Sequence, residues 1–208
     1  MIIYMDKTAF LVEITGNICY NKTNYPVEGT LVEERFDIYD KNRIKTGKTM
    51  LRGEKAGGEW LRTVVHICVI NSQGKMLIQQ RQSFKKSWSG MWDISVGGGV
   101  LAGESPCEAA RRELREEIGL EIDFSALRPS FTVNFSKGFD DYFIVQRDVE
   151  LSELVLQQEE VQAVRWADCD EIFRMIDSGE FIPYHKSLIQ LMFDMKDHSD
   201  ARSKAEAG

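Results

Sequence analysis

Residues 98–120 read GGVLAGESPCEAARRELREEIGL, a glycine pair leading through a short loop into a densely charged segment. Ser105-Pro106-Cys107-Glu108 has the form of a capping box with Pro at the first helical position, and Gly119 is a natural stop, so a helix is predicted over about 106–118. On that helix Ala110, Leu114 and Ile118 form an apolar stripe, while Glu113, Glu116 and Glu117 fall within one turn on a neighbouring side. Like charges at these spacings repel, and carboxylates near a helix C-terminus oppose its dipole. Left unneutralised, such a cluster raises its own pKa values and weakens the helix. A divalent cation removes the conflict, and magnesium prefers hard oxygen donors and commonly bridges carboxylates to substrate phosphates. Gly97, Gly98 and Gly99 allow the backbone to approach an ion or a phosphate closely. The competing reading is a solvated helix face carrying Arg–Glu pairs.

The whole chain is ordinary in bulk. With 208 residues, 43% hydrophobic and 28% charged, it predicts one globular domain with short additions. Its 26 Lys and Arg against 33 Asp and Glu leave a net charge of -7, which opposes a broad nucleic-acid or anionic-membrane footprint. A small anionic ligand would then need a local device such as a metal. Cys19, Cys68, Cys107 and Cys169 show no CxxC spacing, so reduced thiols are expected in place of a zinc site or a disulfide framework. The opening MIIYMDKTAF is interrupted by Asp6 and Lys7, leaving no signal-peptide core, and no apolar run reaches membrane-spanning length. A soluble, cytoplasmic protein is the expectation.

Along the chain, residues 1–33 show no clear period and read as an appended segment, 34–197 as the folded domain, and 198–208 as a frayed tail. The stretch after Glu34 predicts a short strand, a turn at Asp40-Lys41-Asn42, and polar loop through Gly57 and Gly58. Residues 63–81, TVVHICVINSQGKMLIQQR, read as a hairpin turning at Asn71–Gly74. Both faces of its first run are apolar, as in a strand buried on both sides, which makes His66 a packed core residue before it is a ligand. SFTVNF (130–135) and DYFIVQRDV (141–149) predict strands flanking a turn at Ser136–Asp140, and VQAVRWA (161–167) a further strand. Helices are expected over DCDEIFRMIDSG (168–179), closed by Gly179, and YHKSLIQLMFDMK (184–196).

Gly98, five residues, Glu104, seven residues, and then Arg112-Glu113-Leu114-Arg115-Glu116-Glu117-Ile118-Gly119-Leu120 resembles the complete box of the Nudix hydrolase family. The resemblance implies an α/β fold, the Nudix-type α/β/α sandwich with a mixed sheet, in which the box binds Mg²⁺ or Mn²⁺. The implied reaction is hydrolysis of a nucleoside diphosphate linked to a further group, or of a similar organic diphosphate. On matching positions Glu116 and Glu117 would be the principal metal ligands, with the Gly98 carbonyl contributing. Glu113 would ligate the metal or deprotonate water, Arg112 would orient that water, and Glu104 would lie close by. The general base could instead come from a loop outside the box, for which Glu159 and Glu160 are candidates.

Residues 69–99, VINSQGKMLIQQRQSFKKSWSGMWDISVGGG, are also similar to isopentenyl-diphosphate isomerases, which share the Nudix fold. Those isomerases carry a Cys and a His flanking a Gly where this chain has Gly97-Gly98-Gly99, and other residues at the positions of Glu113 and Glu116. Their upstream metal-binding His falls at Arg62. An isomerase-like scaffold running diphosphate hydrolysis is the reading that follows; isomerisation and non-catalytic nucleotide sensing are the alternatives. The same resemblance sets Arg81 and Lys85 on the substrate's diphosphate, against the alternative of a solvated pair. Phe84, Trp88 and Trp92 either stack a nucleobase or close the edge of the core. The expected partner is a small-molecule diphosphate, with neither nucleic acid nor membrane; a homodimer is left open, and so is the identity of the diphosphate.

Overall fold

The computed structural model describes residues 33–54 and 60–196, together with the backbone of four short strands near the start of the chain. Those four are β1 (Ile2–Met5) paired antiparallel with β2 (Thr8–Leu11), and β3 (Glu13–Thr15) paired antiparallel with β4 (Ile18–Tyr20). The rest of the 1–33 segment and the tail expected to fray lie outside the described residues.

The domain begins with a hairpin, β5 (Arg35–Tyr39) and β6 (Lys45–Leu51). Its turn lies where expected, held by Asp40, whose side chain accepts from the N–H groups of Asn42 and Ile44 at 2.9 Å each. The second strand corrects the expectation of polar loop. KTGKTML buries only Met50, so no alternation marks it as a strand; pairing with β5, whose Phe36 and Ile38 enter the core, forms it.

The main sheet contains β7 (Arg62–Ile70), β8 (Met76–Arg81), β9 (Trp92–Asp93), β10 (Val96–Gly99), β11 (Phe131–Phe135), β12 (Gly138–Gln146) and β13 (Val161–Ala167). Its order is β11-β12-β7-β8-β13, with β10 on β7 and β9 on β8. β7 and β12 are parallel and the other pairs antiparallel, so the sheet is mixed. β12 starts at Gly138, three residues before the sequence suggests. Gly138 pairs with Arg62, and a Cβ there would strike the Arg62 carbonyl, so the sheet reaches into what reads as a turn.

Helix α1 (Pro106–Ile118) covers one face, where Leu114 and Ile118 pack with Val65, Ile67, Val69, Leu77 and Phe143. Helices α2 (Cys169–Ser178) and α3 (Lys186–Asp194) cover the other, against Cys68, Ile70, Met76 and Ile78. The result is an α/β/α sandwich. β7 is buried on both sides as predicted, and each large apolar residue so enclosed contributes roughly 1.5–3 kcal/mol. His66 is packed too: its ring stacks on Tyr142 with centroids 4.6 Å apart, and its Nε2 lies 3.3 Å from Asp140. Cys68, Cys107 and Cys169 are free thiols, and among the described residues no helix is long and apolar enough to cross a membrane.

α1 follows its sequence signals closely. Ser105 Oγ accepts the Glu108 N–H, the Glu108 carboxylate accepts the Ser105 N–H at 2.8 Å, and Gly119 closes the helix at φ 71°. α3 starts two residues later than its sequence pattern, since His185 is non-helical at ψ 128°; the Tyr184 hydroxyl donates to Asp93 at 2.9 Å.

Candidate active site

Arg112 organises the acidic face of α1. Its Nε and Nη2 donate to the two oxygens of Glu104 at 2.7 and 3.0 Å, and Nη2 also donates to the Gly99 carbonyl at 3.0 Å. Nη1 meets Glu113 at 2.9 Å and Glu116 at 3.2 Å. Two-pronged contacts of this kind suit a planar guanidinium and would not survive replacement by lysine. Glu104 in turn accepts the Leu101 N–H at 3.0 Å, so the loop between β10 and α1 is tied to the same arginine.

Gly98 stands against this cluster. Its backbone runs so close to Glu113 that a Cβ would overlap the carboxylate and force that side chain to shift. Glu117 points the other way, into the protein, and is 6% exposed. Its carboxylate accepts from Gln79 Nε2 at 3.0 Å. Sequence reasoning missed Gln79, which ends the apolar run of β8 and is followed by Gln80 and Arg81, so nothing in the sequence marks it.

These surroundings set the charges. Burial opposes ionisation of Arg112, but Glu104, Glu113 and Glu116 outweigh it and hold the guanidinium protonated beyond its ordinary range. Burial pushes Glu113 up to about 7 in spite of Arg112, and raises Glu116 as well. Glu117 is pushed well above the usual carboxylate range, first by burial and then by the charge of Glu113.

The expected oxygen cluster is therefore present but not converged. Among the described residues no three side chains already form a ligand set, because Arg112 draws Glu113 and Glu116 toward itself and Gln79 engages Glu117. A cation nevertheless fits the residues. Glu116 Oε1 is buried with no hydrogen-bond partner among the described residues, and all three box carboxylates bear a penalty on their charge that a divalent ion would reverse.

Of the residues expected outside the box, Arg81 ends β8 with Nη1 3.8 Å from the buried Asp93, and its Nε is buried without a partner among the described residues. Lys85 forms an ion pair with Glu160. Glu160 lies near enough to Glu117 to raise its pKa, and the segment before it is hydrogen-bonded to the end of α1, Gln157 N–H to Glu117 O at 2.9 Å. Glu160 is thus brought to the site, whereas Glu159 is exposed. Phe84 and Trp88 are 67% and 49% exposed; Trp92 packs at the core edge beneath Arg165.

The model of the NUDIX domain matches residues 60–190 of this chain. The chain belongs to the Nudix family. It is 44% identical over 163 residues, 78% of its length and 95% of the relative's, to an uncharacterised Nudix hydrolase of Listeria monocytogenes. It is 31% identical over 160 residues to an isopentenyl-diphosphate Delta-isomerase of Salmonella arizonae, covering 71% of this chain and 84% of that one. A crystal structure from Deinococcus radiodurans superposes with a TM-score of 0.63 at 28% identity, over 76% of this chain and 97% of that one. The Nudix fold read from the box is thereby established, and so is the link to the isomerase branch.

The Glu113 environment predicts a pH effect in metal-free protein. A carboxyl raised from 4.5 to about 7 on folding stabilises the folded state fully below 4.5, and that contribution is lost as pH rises through 7. Thermal unfolding in chelator should show the difference in stability between wild type and Glu113→Gln shifting in favour of the variant as pH rises from 5 to 8, by about 1–3 kcal/mol. A pH-independent difference would show that Arg112 fully compensates the charge.

Proposed function

We propose that this Nudix hydrolase cleaves a small-molecule diphosphate, a nucleoside diphosphate derivative or similar organic diphosphate, with Mg²⁺ or Mn²⁺ held by the box. The observation that supports this most directly is the carboxylate cluster at the end of α1, with Glu113 against the Gly98 backbone, Glu113 and Glu116 on Arg112, and Glu117 buried on Gln79. Glu116 and Glu117 are the principal ligands, joined by Glu113 and the Gly98 carbonyl. Bound there, the metal supplies charge neutralisation of the phosphate oxygens and acidifies a water.

The protein's own groups supply the rest. Arg112, locked by Glu104, holds Glu113 and Glu116 in place and would orient the attacking water. Glu113 takes up the proton, with Glu160, restrained by Lys85, as the alternative base. Arg81, whose Nε has no partner among the described residues and whose Nη1 is 3.8 Å from Asp93, would turn its guanidinium to phosphate oxygens, and Lys85 would add a positive charge on leaving Glu160. Net charge -7 makes such local cations necessary for a multiply charged substrate, and favours a small molecule over nucleic acid or an anionic membrane.

Isomerisation is the second reading, favoured by the isomerase relative. Against it, Gly97 and Gly99 offer no side chain, and the space beside them is occupied: a Cβ on Gly97 would lie 3.1 Å from His66 Nδ1, and one on Gly99 would overlap Phe36. The deciding experiment is a panel of nucleoside di- and triphosphates, nucleotide sugars, dinucleotides and isoprenoid diphosphates assayed with Mg²⁺, including isopentenyl diphosphate in heavy water. Release of phosphorylated products that stops in chelator, with a raised KM in Arg81→Ala, is expected. Catalytic deuterium exchange without hydrolysis would replace the hydrolase by an isomerase, and binding without turnover would make the protein a sensor.

A further inference from the structure

Beside the box lies a cavity of about 520 Å³ between the β5–β6 hairpin, the start of β7 and the β11–β12 turn. Phe36, Met50, Arg52, Trp60, Arg62 and Lys137 line it. Three of these are cations, on a protein whose net charge is -7. Glu54 also lines it; its carboxylate accepts the Leu51 N–H at 2.9 Å and keeps its negative charge, so the three cations face one acid.

Arg62 is the informative residue. It is partly buried, its guanidinium lies over the Phe36 ring at 5.3 Å, and it makes no ion pair or side-chain hydrogen bond among the described residues. A partly buried guanidinium without a contacting counter-charge is costly: Asp140 acts on Arg62 from beyond ion-pair range and is itself 3.3 Å from His66, whereas Arg112 meets three carboxylates directly. Arg52, paired with Glu34 at 2.9 Å, still adds to the positive field at Arg62. Lys137 stands at the turn from which its carbonyl accepts the Arg62 N–H at 3.0 Å. The cavity also adjoins the box. Phe36 packs against Gly99, whose carbonyl binds Arg112, and Glu34, the partner of Arg52, is close enough to act on Glu113.

We infer that this cavity binds a phosphate group that the substrate carries in addition to the diphosphate that is cut, with Arg62 as its principal ligand and Arg52 and Lys137 as supporting charges. The substrate class is therefore an organic diphosphate bearing a further phosphate ester, its intervening portion resting on Trp60 and Phe36. This rests on the hydrolase reading for the substrate, but the anion site itself is tested without turnover. A cavity of this size holds a phosphorylated sugar-sized group, and a planar fork suits phosphate better than a lysine would.

The first measurement is thermal unfolding in chelator, with inorganic phosphate titrated against chloride at equal ionic strength. Wild type should gain a few degrees in Tm with phosphate. Arg62→Gln should lose that gain while its phosphate-free Tm stays level or rises, because no ion pair or side-chain hydrogen bond among the described residues is lost with the partly buried charge; a purely structural arginine would lower the baseline. Arg81→Ala should retain the phosphate gain. The second measurement compares kcat/KM in Mg²⁺ for coenzyme A against its 3′-dephospho form, and for NADPH against NADH. At least one phosphorylated member should be preferred by about tenfold or more, through KM, and Arg62→Gln should erase that preference. A phosphate gain absent from wild type, or preserved in Arg62→Gln, overturns the site. Loss of the gain in Arg62→Gln without a preference in either pair assigns the cavity to free phosphate and overturns the substrate class. Absence of hydrolysis altogether contradicts the hydrolase reading and leaves the phosphate titration to stand by itself.

Discussion

Glu116→Gln and Glu117→Gln are each expected to lower kcat/KM on the best substrate by on the order of 10³-fold, several kcal/mol of lost metal-assisted charge stabilisation. The fold should survive both changes. Glu117 is buried with its pKa far above the carboxylate range, so an isosteric neutral amide removes a penalised charge, and its oxygen can still accept from Gln79. Glu116 likewise has one buried oxygen without a partner. Metal-free Tm should consequently hold or rise in each variant, while the increase that Mg²⁺ produces in wild type should shrink or vanish. Activity and metal stabilisation must be lost together. Wild-type rates in both variants would remove these residues from the metal site.

Arg112→Ala should cause the largest loss of stability among the box residues, about 3–5 kcal/mol, because it leaves Glu104, Glu113 and Glu116 without their shared counter-charge. For a chain of this size that corresponds to a Tm lower by roughly 10 °C. Two conditions should restore part of it. Mg²⁺ supplies an alternative positive charge, and lowering the pH protonates Glu113, whose pKa, about 7 with Arg112 present, rises further without it. Arg112→Lys should recover less than a charge count suggests, since an ammonium cannot reproduce the paired contacts to Glu104 or reach the Gly99 carbonyl at the same time. Denaturation in chelator, repeated with Mg²⁺ and at pH 6, measures all three. A variant as stable as wild type in chelator would mean that the carboxylates move apart freely, and that Arg112 does not organise them.

Local chemistry was legible in the residues themselves. The boundaries of α1 follow from Ser105, Pro106, Glu108 and Gly119 because capping satisfies backbone groups within one turn, and such contacts depend on neighbours in sequence. The grouping of Glu113, Glu116 and Glu117 on one side follows from helical periodicity alone, and the two-sided burial of β7 from its unbroken apolar run. The spacing from Gly98 through Glu104 to the helix marks the Nudix box without any coordinates.

Other features needed the folded chain, since they join residues far apart in sequence. β6 exists because β5 lies beside it, and β12 begins early because Arg62 offers it a parallel partner. Helical periodicity put three carboxylates on one side but could not say that Arg112 would divide them, or that Gln79 from β8 would hold Glu117 inside the protein. Nothing near Arg62 in the sequence marks it as unpaired. Its lack of a contacting partner appears only when the hairpin, β7 and the β11–β12 turn enclose it with Arg52, Lys137 and Glu54, because whether a charge is satisfied depends on which distant groups folding brings within a few ångströms.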